Sequence, residues 1–199
     1  VLYNGLLTID KVLKSYPEED ILLWDRLHYV WPNFIFKHQS DQFVIPRPYV
    51  PYSINVRKIN SEEMLKQVLQ FKLSVYSIPL LYINSGMKRS YLLKLLDKTG
   101  AIIDGISQAL YTGIANLAIN KEFLYLQYPI TIAALSSNSS GAISLAGNPD
   151  LEVQQQRDNE FLNTNIGNHV DRNLQAVVPV SDGDVANMIV SVLRLIDMQ

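Results

Sequence analysis

The chain has 199 residues, 48% hydrophobic and 18% charged, the composition of an ordinary globular domain long enough to bury a substantial core. A formal net charge of -2 gives no electrostatic basis for nucleic-acid binding, and the absence of cysteine excludes disulfides and thiolate chemistry. No apolar run reaches the roughly 18 to 20 residues that span a bilayer, and no signal-peptide pattern is present, so the expectation is a protein that is not transmembrane, in a reducing, cytoplasmic setting.

Residues 5–14 carry Leu6, Ile9 and Leu13 at helical spacing, and Ser15-Tyr16-Pro17 ends the run. Residues 21–24 read as a short buried strand, followed over 25–32 by an aromatic-rich edge with Tyr29 and Trp31. Aromatic faces stack on the apolar faces of sugar rings, which makes Trp31 a candidate sugar contact; packing in a core is the competing reading. His28, beside Asp25 and Arg26, is either a group titrating near neutrality or an ordinary hydrogen-bonded histidine. Residues 33–56, with Pro46, Pro48 and Pro51, read as an extended loop or edge strands, a connector or the flank of a groove. Asn60-Ser61-Glu62-Glu63 has the form of a capping box opening an amphipathic helix through Met64, Leu65, Val68 and Leu69 towards Phe71.

Ile78-Pro79-Leu80-Leu81-Tyr82 leads into Asn84-Ser85-Gly86, where a glycine lets backbone approach a ligand; the alternative is a strand-to-helix turn in which Asn84 and Ser85 cap the next helix. Leu92, Leu93, Leu95 and Leu96 form the apolar side of that helix, closed by Gly100. Asp104 reads as a turn or helix-approach aspartate, with a catalytic role as the alternative. Ala109, Leu110, Ile114, Leu117 and Ala118 build a buried helix, with Tyr111 and Asn116 as its polar members nearest any site. A strand from Tyr128-Pro129 leads to the loop 136–141, whose hydroxyls and amides suit a sugar or phosphate as well as a flexible loop. Asn148-Pro149-Asp150 starts a helix, 154–159 is an exposed helical run, and His169 stands in a connector beside Asp171 and Arg172. Val185, Met188, Ile189, Val192, Leu193 and Ile196 share one face of a final helix, capped by Ser181 and Asp184, that should pack on the sheet.

The order and spacing of Asn84-Ser85, Thr99-Gly100, Ser107 with Tyr111, Pro129, and Ser139 with Gly141 resemble the second half of the family-2 glycosyltransferases of the GT-A type. The segment Trp24-Asp25-Arg26-Leu27-His28-Tyr29-Val30-Trp31-Pro32 extends the resemblance upstream, as does Gly5-Leu6-Leu7. The resemblance implies an α/β, partial GT-A-like (Rossmann-like) domain with a mixed sheet flanked by helices. Residues 1–199 would form one domain, the acceptor-binding half, with the nucleotide-binding half expected before Val1. It implies inverting transfer of a sugar from a nucleotide-sugar to a hydroxyl acceptor, assisted in the family by manganese or magnesium. Trp31, Tyr82, Asn84, Ser85, Tyr111, Asn138 and Ser139 would then face the acceptor.

Three departures bear on the chemistry. The family's base position holds Ala109, leaving Asp104 as the nearest carboxylate and the candidate catalytic residue. The loop histidine is replaced by Asn138, a poorer metal ligand. Leu2-Tyr3-Asn4 stands where the family carries its metal-binding aspartates. The expectation is therefore a glycosyltransferase-like domain that is weak or inactive on its own and holds no metal. Its expected partners are a glycan or nucleotide-sugar, or the other half of the fold. The alternative is a non-catalytic glycan-binding or protein-interaction domain.

Overall fold

Two parallel strands that bury side chains on both faces organise the computed structural model, which describes residues 2–32, 41–45, 54–104, 107–136 and 184–197. They are β1 (Ile21–Val30) and β5 (Glu122–Leu135). Ile21, Leu23, Phe123 and Tyr125 turn to one face, and Leu22, Trp24, Leu124 and Leu126 to the other. A pair with apolar residues on both sides requires helices on both sides. β4 (Ser85–Met87) pairs antiparallel with the beginning of β1, β2 (Gln42–Val44) with its end, and β3 (Val56–Asn60) with β5. The sheet is thus mixed, in the order β2-β1-β5-β3 with β4 also on β1. The α/β class expected from the sequence is present, and no helix among the described residues is long and apolar enough to cross a membrane.

β1 does not stop at Trp24 but continues through the aromatic edge, and β5 begins at Glu122, ahead of Tyr128-Pro129. A bulge links these two facts. From the pair Trp24 with Leu126 to the pair Arg26 with Thr131, β1 advances two residues and β5 five. Pro129, which has no N–H to give a ladder, lies within the shift, and the bulged Gln127 is tied to Asn55 by a backbone bond of 2.8 Å and a side-chain bond of 3.2 Å. The excess is odd, so the side-chain phase of β5 reverses: Phe123 and Tyr125 share a face before the bulge, Ile132 and Ala134 after it.

α1 (Gly5–Ser15) covers the Leu22 and Trp24 face through Ile9, Val12 and Leu13. Its buried stripe runs through Gly5, Thr8 and Val12, so Leu6, expected inside, is 69% exposed. α2 (Ser61–Leu69), α3 (Arg89–Thr99), α4 (Gln108–Ile119) and α5 (Asp184–Asp197) lie on the other face. Half of the capping box forms: the Asn60 side chain accepts from Glu63 N–H at 2.9 Å, whereas Glu63 itself accepts from Gln67. Leu69 and Phe71, expected on the apolar face of that helix, are exposed, because the helix ends and Phe71 takes a positive φ of 57°.

α4 is the hub. It is apolar nearly all round, with Ala109 through Leu117 buried, and it touches α2, α3 and α5. Gly113 is what lets it close on the 78–80 segment, since a Cβ there would lie 2.7 Å from both Ile78 and Leu80 side chains. Two expectations change as a result. α5 packs chiefly on α4, with Met188 buried in the core that α4 shares with the sheet. α3 buries Tyr91, Leu95 and Thr99, leaving Leu93 and Leu96 exposed, because the Tyr91 hydroxyl donates to buried Asn116 Oδ1 at 3.0 Å and fixes which side faces inward.

Candidate functional site

The Asn84 loop is built from the inside. Asn84 is 3% exposed; its Oδ1 accepts from Leu80 N–H at 2.9 Å, and its Nδ2 donates to the carbonyls of Tyr76 at 3.0 Å and Ile78 at 3.1 Å. Ser85 Oγ donates to the Leu80 carbonyl at 2.8 Å. Both side chains therefore hold the segment before them, and instead of capping a helix Ser85 opens β4. Their polar groups are engaged in folding the loop. What the loop presents outward is Tyr82, 64% exposed at φ 57°, a conformation a bulky side chain adopts only when its surroundings impose it.

Asp104 and Tyr111 are brought near each other, but by α5. The guanidinium of Arg194 bonds Asp104 Oδ2, with the two side chains 13% and 14% exposed respectively. Tyr111 is fully buried, and that burial raises its pKa. Ala109, at the family's base position, is also buried. One oxygen of the Asp104 carboxylate is thereby committed to Arg194.

At the far end of β1, Trp31 is 50% exposed and meets the Tyr29 ring edge to face, centroids 5.6 Å apart. Tyr29 donates its hydroxyl to Asp41 Oδ1 at 3.0 Å, and this hydrogen bond raises the phenol's pKa. Trp31 and Tyr82 are thus the outward-facing members of the expected acceptor set, while Asn138 and Ser139 lie outside the described residues, as do the 148–159 helix start and His169. Arg26 and His28 share the opposite face of β1 from Tyr29. Burial lowers the pKa of both, the nearby Arg26 charge adds to the effect on His28, and the guanidinium stands 5.9 Å from the Tyr76 ring centre.

A second polar pair was not anticipated from the sequence: Tyr125 donates to Asp25 Oδ1 at 2.7 Å, with the Arg57 guanidinium 5.3 Å from the Tyr125 ring centre. Its only signal would have been the parallel pairing of β1 with β5, which no local pattern gives. The Tyr29–Trp31 pair was more accessible, since residues two apart on a strand share a face.

At the front of the chain, Leu2-Tyr3-Asn4 offers no carboxylate. The Asn4 carbonyl accepts both the N–H and the hydroxyl of Thr8 at 2.9 Å, and Tyr3 points into solvent at 98% exposure. Among the described residues no three His, Asp or Glu side chains group to hold a metal. Comparison with protein-family models, curated proteins and solved structures finds no match to this chain.

Proposed function

We propose that the chain is the acceptor side of a GT-A-type, glycosyltransferase-like fold, cytoplasmic, whose own residues recognise a carbohydrate rather than carry out transfer. The observation that carries this reading is the division of the expected site residues. Asp104 is paired with Arg194 and Asn84 and Ser85 are bonded to their own loop, whereas Trp31 and Tyr82 face outward. The order of elements supports it too. The Asn84-Ser85 segment, a helix closed at Thr99-Gly100, the α4 helix after Ser107 and a strand through Pro129 are all arranged around one parallel pair of strands.

Calorimetric titration of the folded chain with nucleoside diphosphates and nucleotide-sugars, with and without manganese, tests the reading. The expected outcome is no metal-dependent heat. Metal-dependent binding of a nucleotide-sugar would mean that donor chemistry resides in these residues, and the recognition-only reading would fall.

A further inference from the structure

Three strands place apolar side chains on a stretch of sheet beyond the cover of α2 to α5. Tyr29 on β1 is in register with Phe43 on β2 and Ala134 on β5, and Leu27 with Ile132, so all of these project from one face. Leu27 is buried, but Phe43 is 52%, Trp31 50% and Ile132 43% exposed. The ring planes of Trp31 and Tyr29 are 75° apart, so Tyr29 braces Trp31 without stacking on it. Through its hydroxyl, Tyr29 also holds Asp41, an exposed aspartate at φ 55°. One residue thereby fixes both an aromatic surface and a carboxylate at its margin.

We infer that this surface binds a neutral carbohydrate, with a sugar ring stacked on Trp31 and a hydroxyl donating to Asp41. The C–H face of a pyranose matches an open aromatic ring, and the hydroxyls at its rim need acceptors, which a carboxylate supplies. A purely apolar partner would bury the Asp41 carboxylate with only the Tyr29 hydroxyl to bond it, and an acidic sugar would meet a like charge there. The surface rests on the acceptor reading above and names its ligand class and its place, yet it does not depend on donor binding. The nucleotide titration can therefore come out either way without deciding this one.

The test is calorimetry of the full chain with neutral malto-, cello- and chito-oligosaccharides and with oligogalacturonate as the acidic probe, followed in parallel by tryptophan emission. Of the two tryptophans, Trp24 is 8% exposed, so a ligand-induced emission change reports on Trp31. At least one neutral series should bind saturably and shift that emission. Trp31→Ala should weaken binding roughly tenfold or more, as expected for loss of a stacking partner. Asp41→Asn, which retains a residue type tolerant of positive φ and so preserves the fold, should weaken it several-fold. Absence of binding by any neutral series to the folded chain, affinity unchanged in both variants, or equal affinity for oligogalacturonate would each overturn the inference.

Discussion

Asn84 shows how a residue chosen for its hydrogen-bonding capacity becomes architecture. Its amide satisfies one backbone N–H and two carbonyls, and the Asn84 carbonyl accepts from Trp24 N–H at 2.9 Å, joining the loop to the central strand. Asn84→Ala should lower stability by about 2–4 kcal/mol, because buried backbone groups lose their partners, whereas Ser85→Ala, removing one bond, should cost about 1 kcal/mol. Denaturant unfolding of both variants checks the ordering; equal losses would mean the loop finds substitute partners. Tyr82, held outward by this arrangement, should in turn tolerate substitution with little change in stability.

Helices were legible where one stripe of side chains decides them and less so where neighbours decide. The α1 and α2 spans follow from spacing and caps, and α3 ends at Gly100 as read, with φ 68° in the left-handed region and no atom within 4 Å of the place a Cβ would occupy. Gly100→Ala should therefore cost about 1–2 kcal/mol from backbone conformation alone, measurable by thermal unfolding, and Gly100→Asn less. The inward face of α3 and the packing partner of α5 escape the sequence for a shared reason. Counting leucines cannot reveal that Tyr91 has a buried partner in Asn116, nor that α4 stands where the sheet was expected. The candidate site was legible in part: Trp31 followed from its chemistry, but the capture of Asp104 by Arg194 joins residues 90 positions apart and leaves no local trace.

At the scale of the molecule, an α/β layering emerges from alternation: one core against α1, a larger one beneath α2 to α5, with β1 and β5 shared between them. The bulge in β5 limits that logic, because its odd excess of residues changes which alternate positions face which layer. Gln127→Ala, keeping the length, should alter stability by no more than about 1 kcal/mol. Deleting Gln127 should be far costlier, roughly 3 kcal/mol or more, since Thr131 would leave its 3.2 Å bond from Trp24 Nε1 and every later side chain of β5 would change sides. Comparison of the two unfolding midpoints decides it. The feature acts as a spacer that sets parity: the third strand of the aromatic surface owes Ile132 and Ala134 to the number of residues upstream of them, not to their identities. Among relatives of this chain, a change of one residue in length between Leu126 and Thr131 would therefore exchange the surface for a different one while leaving each amino acid in it the same.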